Sequence, residues 1–229
     1  MGTLKTKTQT PDINKIKFIE KKPSELKIMT SKQLYTELTK HLVEDAKPSE
    51  YLNRISHSGG FNAFPFSMLK ALEKVPQSPV HHPEGCVWNH VCLVVDQAAL
   101  VRQKSHAPTA FMWAALLHDI GKAKTTRMRR GKITAYDHDT VGAELCIEFL
   151  SHLTEDEAFI KMVSMLVKYH MHTLYILKSL PFANIQGMNA ETKIEEIALL
   201  GFCDRMGRLG SNIEEEQKNY QEFLMKCQL

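Results

Sequence analysis

The chain has 229 residues, 43% hydrophobic and 24% charged, with a net charge of +3 at neutral pH, the balance of a soluble globular protein with one large domain and no bulk demand for a nucleic-acid partner. No stretch approaches the roughly 18 apolar residues of a membrane helix, and MGTLKTKTQT at the N-terminus lacks the apolar segment of a secretory signal. The cysteines (Cys86, Cys92, Cys146, Cys203 and Cys227) are odd in number and scattered, with no CxxC, which predicts reduced thiols in a cytoplasmic protein and not a disulfide frame or zinc site.

Residues 1–30 are lysine-rich, lack helical periodicity and are expected to form a flexible or extended arm. A helical N-terminal segment follows over 31–80: Leu34, Leu38 and Leu42 recur at helical spacing, and Pro48 should end that run. Gly59-Gly60 and then Pro76, Pro79 and Pro83 punctuate the chain. The main domain, 81–229, opens with an amphipathic helix marked by Val87, Val91, Val94, Val95 and Ala98. Pro108 suits a first turn, and TAFMWAALLHD continues as a buried helix. TTRMRRGKITAY, near 125–136, has a Gly turn between short alternating segments and predicts a small β-hairpin. Leu145 and Phe149 stripe a helix beginning near His138. Thr154 and Glu157 are expected to cap a helix running to Tyr169 or beyond, and Asn189 another with Ile194, Ile197 and Leu200 facing inward. A last amphipathic helix runs from about Asn212 to the end. The fold class is all-α, helices around one core.

The informative stretch is ALLHDIGKAKTT, 115–126. His118 and Asp119 both suit a divalent cation, but neighbours on a helix point about 100° apart, so other helices must complete a site. The candidates are His90, His138, His170 and Asp204, each on a different predicted helix or helix end. His118 shares a face with Phe111 and Ala114, His170 with Val163, Leu166 and Val167, and Asp204 with Ile197, Leu200 and Gly201. Ionisable groups on core-facing stripes are costly unless paired or metal-bound. Each taken alone reads more simply, as a hydrogen-bonded histidine or an Asp204–Arg205 salt bridge. Taken together, their order on separate helices is specific.

That order resembles the HD superfamily of metal-dependent phosphohydrolases, and His138 and His170 resemble its two-metal members. HHPEGCVWNH, FMWAALLHDIGKAKTT, LVKYHMH and FCDRMGR are similar to the HD domain of bacterial CCA-adding tRNA nucleotidyltransferases. SKQLYTELTKHLVEDAKPSEYLNRI and LEKVPQSPV look like the helical segment before that domain, so the resemblance covers about 31–229. That family's nucleotidyltransferase head, with its paired aspartates, has no counterpart here, so the chain is expected to be the HD module standing alone.

The resemblance implies an HD helical bundle and one or two divalent ions (Mn, Ni, Co, Mg, Fe or Zn). Asp119 would bridge them, with His90, His118 and Asp204 completing one site and His138 and His170 the second. Metals so held make a bound water acidic enough to attack phosphorus near neutral pH. The implied substrate is a nucleotide, a 2′,3′-cyclic phosphodiester or another small phosphate ester, with RNA 3′ ends as a further partner. His172 is expected beside the site or on the surface. Lys122 either holds a substrate phosphate or is a solvated helix-end lysine. Arg205 and Arg208 either clamp phosphate or pair with Glu214, Glu215 and Glu216. Lys122, Lys124, Arg127, Arg129, Arg130 and Lys132, with no acidic residue among them, either steer a polyanion or form a solvated hairpin; Tyr136 is the only nearby ring. The competing readings are a di-iron oxygenase using the same ligands and a tRNA-binding or regulatory module without turnover.

Overall fold

The computed structural model describes residues 29–228; residues 1–28 of the expected arm lie outside them. Helix α1 (Ser31–Glu44) starts at a capping box that sequence reading missed. Gln33 N donates to Thr30 Oγ1 at 3.2 Å, and Thr30 N donates to Gln33 Oε1 at 2.9 Å. Pro48 does not end this helix, which stops at Glu44. It is the first residue of α2 (Pro48–His57), where its missing N–H costs nothing. After α3 (Ser67–Ala71) and a 3₁₀ turn comes the Pro-rich loop, which leads to α4 (Val87–Val101). Helix α5 (Pro108–Leu117) has Pro108 in its first turn and is buried from Ala110 to Leu117.

The short α6 (Lys122–Thr125) precedes an antiparallel hairpin, β1 (Arg127–Arg129) with β2 (Lys132–Thr134), pairing Met128 with Ile133. Then follow α7 (His138–Ser151), α8 (Glu157–Tyr169), α9 (His172–Leu177), α10 (Ile185–Glu191), α11 (Ile194–Met206) and α12 (Ile213–Cys227). Two expected caps are corrected. Asp156, not Thr154, caps α8 by accepting from Phe159 N at 2.9 Å, while Thr154 Oγ1 accepts from Asp156 N. Asn189 lies inside α10, whose cap is Asn184; α11 starts after Lys193 with no side-chain cap. At α8 a short polar residue nearer the helix won the competition for the free N–H groups, whereas at α11 no side chain caps them.

One hydrophobic core runs through the described residues, and α5 is its axis. Helix α1 packs on α5 through Tyr35 and Trp113, whose rings lie 5.1 Å apart, and Trp113 Nε1 donates to Thr39 Oγ1. Helix α2 is tied to α4 by Trp88 Nε1 donating to Asn53 Oδ1 and by Ser49 donating to Asp96. The segment 31–80 thus shares its core with the helices that follow. No described helix is long and apolar enough to cross a membrane.

Candidate metal centre

Each ligand candidate sits where a helix begins or ends around α5. His118 and Asp119 occupy the turn that leaves α5, and Gly121 closes that turn against the first turn of α7. A Cβ on Gly121 would lie 2.0 Å from the His138 carbonyl oxygen, so only glycine lets the two backbones touch. His138 opens α7, behind Asp137 in a left-handed conformation (φ 60°). His170 follows the last residue of α8, and His90 and Asp204 lie within α4 and α11. Gly207 brings α11 against α4: a Cβ there would lie 2.9 Å from Val94 N.

These six side chains converge. Asp119 is the centre, and its two oxygens face different partners. Oδ2 lies 3.3 Å from His118 Nε2, 3.8 Å from His90 Nε2 and 2.7 Å from Lys122 Nζ. Oδ1 lies 3.4 Å from His138 Nε2 and 3.9 Å from His170 Nε2. Asp204 Oδ1 joins the first group through His90 Nε2 at 2.9 Å. All six residues are buried.

The ring orientations are decided by the backbone. Nδ1 of His118 lies 2.9 Å from the carbonyl of Ala115, that of His138 2.7 Å from Ala135, and that of His170 2.6 Å from Val167. A carbonyl only accepts, so each Nδ1 carries the proton and each Nε2 presents a lone pair to the centre. His138 Nε2 and His170 Nε2 stand 3.2 Å apart. Two lone pairs so close repel unless a proton or cation lies between them. His118 Nε2 and Asp119 Oδ2 are buried without hydrogen-bond partners; Lys122 approaches Oδ2 as an ion pair and not as an aligned hydrogen bond. Buried polar atoms left in this state fit a missing cation. The donor set, imidazole nitrogen with carboxylate oxygen, suits a divalent transition metal.

At Asp119, Asp204 and His170 the electrostatics agree with that fit, whereas at His90 the carboxylates of Asp204 and Glu84 outweigh burial and raise the imidazole. Burial alone would raise the Asp119 carboxyl, but the Lys122 ammonium and His118 outweigh it and hold it well below the usual carboxylate range. Asp204 is likewise held down against burial, by Arg208 and His90. Burial, with His138 and His118 beside it, pushes His170 down to about 4, so its ring is neutral at pH 7. Ionised carboxylates and neutral imidazoles are the forms that bind metal.

Around this centre lie residues that sequence reading passed over. Glu84 Oε1 is 2.9 Å from His90 Nδ1 and 2.8 Å from His82 Nδ1, and the Glu84 side chain is 2% exposed. Gln77 Oε1 accepts from Lys122 Nζ at 2.7 Å. The signal was HHPEG, a carboxylate shortly before His90, but it lies in an irregular loop where no periodicity marks an inward face. Lys122 is no solvated helix end: its side chain is 12% exposed and points at Asp119. Arg208 Nη2 pairs with Asp204 and Arg205 with Glu216, both at 3.0 Å, and both arginines line the cleft. His172 is buried and not on the surface; it packs between Tyr169 and Tyr175, outside the ligand cluster. The hairpin rims the same cleft through Ile133 and Thr134, and Arg129 lies over the exposed Tyr136 ring at 4.9 Å.

Residues 87–208 match the family model described as HD domain. The chain is 27% identical over 209 residues to the Multifunctional CCA protein of Actinobacillus pleuropneumoniae serotype 5b (strain L20), covering 88% of this chain and 50% of that protein. It is 28% identical over 202 residues to the Multifunctional CCA protein of Pseudomonas aeruginosa (strain LESB58), 86% of this chain and 46% of that one. The protein of the same name from Hahella chejuensis (strain KCTC 2396) is 28% identical over 204 residues, 89% of this chain and 42% of its own length. The chain spans about half the length of the curated relatives it matches.

Proposed function

We propose that this chain, which belongs to the HD domain family, a superfamily of metal-dependent phosphohydrolases, hydrolyses a nucleotide, a 2′,3′-cyclic phosphodiester or another small phosphate ester. The observation that carries the reading is the convergence of lone pairs. Three imidazoles, those of His118, His138 and His170, are locked by their own backbone with Nε2 facing the Asp119 carboxylate. Asp119 would bridge two ions, with His90, His118 and Asp204 on its Oδ2 side and His138 and His170 on its Oδ1 side. Divalent ions held there would acidify a water and polarise a phosphoryl oxygen.

The chain's own residues supply the rest. Lys122 stands beside the bridge and is buried enough for its ammonium to act at low dielectric. It balances Asp119, and with divalent ions held there it would be free to hold a phosphate oxygen. Arg208 borders the cleft from the other side and binds a second oxygen. Arg205, engaged with Glu216, holds α12 to α11 while bordering the same cleft. Residues 81–229 form the HD unit, with 31–80 as its helical lead-in. The basic hairpin at the rim attracts polyanions, and the relatives' name, CCA protein, supports an RNA 3′ end as an extended substrate.

Metal analysis of the purified protein, with a phosphatase and phosphodiesterase panel run with Mn, Ni, Co, Mg, Fe and Zn, tests this reading. Asp119→Ala is expected to lose bound metal and activity together. Full turnover by that variant would refute the assignment.

A further inference from the structure

The cleft carries one buried polar side chain that the hydrolytic reading leaves unused. Gln77 lines the same cavity as Asp119, Lys122 and His138. It comes from the lead-in segment, outside the residues 87–208 that match the family model. Main chain fixes its place. Val87 N donates to Val75 O at 3.0 Å, and Pro76 and Cys86 form an isolated antiparallel bridge, so the loop is pinned to the start of α4. That helix carries His90, so Gln77 and the ligand cluster share one frame.

The amide of Gln77 stands the costly way round. Its Oε1 accepts from Lys122 Nζ at 2.7 Å, while its Nε2 is buried with no hydrogen-bond partner among the described residues. A buried donor left unpaired costs free energy. Turning the amide over offers no relief: an ammonium carries only donors, so Nε2 would then face Nζ donor to donor. The orientation is therefore dictated by Lys122 and not by what suits Gln77. Packing alone would be served as well by an apolar side chain of the same length, which strands no donor.

Lys122 Nζ has two oxygens at 2.7 Å, Asp119 Oδ2 and Gln77 Oε1. Only the contact with Gln77 has hydrogen-bond geometry; the contact with Asp119 is an ion pair. Coulomb attraction keeps the ammonium near Asp119 but scarcely directs it, whereas a hydrogen bond to the amide oxygen fixes direction. The acceptor is also neutral. A carboxylate at position 77 would repel a phosphate and compete with it for the ammonium; an amide oxygen brings no charge to do so. The ammonium has further N–H donors to offer a phosphoryl oxygen. With Asp119 engaged by divalent ions, Gln77 would remain as the anchor. We propose that Gln77 is a positioning residue whose amide oxygen holds the Lys122 ammonium in the cleft, directed to bind a phosphoryl oxygen of the substrate. The inference rests on the phosphohydrolase reading and deepens it.

The test is a cycle of Gln77→Met, Lys122→Met and the double variant beside the wild type. Methionine keeps the length of Gln77 without its amide. Melting curves of the metal-free proteins come first. Gln77→Met is expected to melt no lower than the wild type, because the stranded donor leaves together with the acceptor. A variant that melts well below the wild type, or does not fold, shows a merely structural role and overturns the proposal. Turnover of p-nitrophenyl phosphate and bis(p-nitrophenyl) phosphate is then read at saturating Mn. Gln77→Met is expected to lose about tenfold to a hundredfold in kcat/KM, and the double variant to be no worse than Lys122→Met alone. Wild-type turnover by Gln77→Met, or a loss that adds to that of Lys122→Met, overturns it. If the wild type is inert toward both esters with every metal, the phosphohydrolase reading falls. In that case, or if Lys122→Met leaves no turnover to compare, Gln77 is judged by the calorimetric Kd for inorganic phosphate on the Mn-loaded proteins. Gln77→Met must weaken that Kd in the wild-type background and must not weaken it further once Lys122 is replaced; any other result, undetectable binding by the wild type included, overturns the proposal.

Discussion

At the residue scale, the most informative atoms are those that orient the ligands. Glu84 stands behind His90 as the backbone carbonyls stand behind His118, His138 and His170. Groups holding the far nitrogen of a ligating imidazole typically contribute 10–100-fold in metal affinity. Glu84→Ala is therefore expected to weaken metal binding by about that factor, and Glu84→Gln, which keeps an oxygen beside Nδ1, to restore much of it; competitive metal titration reads both. The thiols give an independent check on burial. Cys92 is pushed up to about 12 and Cys227 to about 11 by burial, and Cys146 and Cys203 are raised further, whereas Cys86 is half-buried. Thiolate is the reactive form, so a maleimide or iodoacetamide added to the native protein at pH 7.5 is expected to label Cys86 first, as mass spectrometry will show. His118, His170 and Asp204 were legible because they interrupt apolar stripes, whereas His90 lies beside its stripe and not within it. Glu84, His82 and Gln77 were not, because an irregular loop carries no period to mark which residues turn inward.

At the element scale, the turn between α5 and α6 is the part with least room for change. Any side chain at position 121 strikes the main chain of α7. Gly121→Ala is expected to cost about 1–3 kcal/mol through forced separation of the two elements. It should also shift His138 away from Asp119, lowering metal affinity; urea unfolding and metal titration measure the two effects. The longer helices were readable from periodicity, and so was the hairpin, whose Gly131 adopts a positive φ of 75°; the short α6, α9 and α10 were not. Caps were read less well. Near α8 and α10 several short polar residues compete within a few positions, and sequence alone does not say which one faces the free N–H groups. Pro48 illustrates the same ambiguity, since a proline that stops one helix equally suits the start of the next.

At the scale of the whole molecule, the site is assembled across the chain: His90 meets Asp204 at a separation of 114 positions. A cation bound there stabilises the folded state over the unfolded one by mass action, about 2.7 kcal/mol at a hundredfold excess over Kd. For a chain of this length that is several degrees in Tm. Added Mn or Ni is expected to raise Tm, EDTA to reverse the rise, and Asp119→Ala to abolish it in differential scanning calorimetry. Sequence order alone gave no hint of which helices neighbour one another, because that depends on packing around α5, whose stripe is apolar on every side. The contact of residue 121 with α7 has a further bearing. It ties the turn bearing His118 and Asp119 to the first turn of α7, which bears His138, through main chain, so the spacing of those ligands is set by the scaffold. Exchanging one metal for another would then retune reactivity while the spacing of these ligands stays the same.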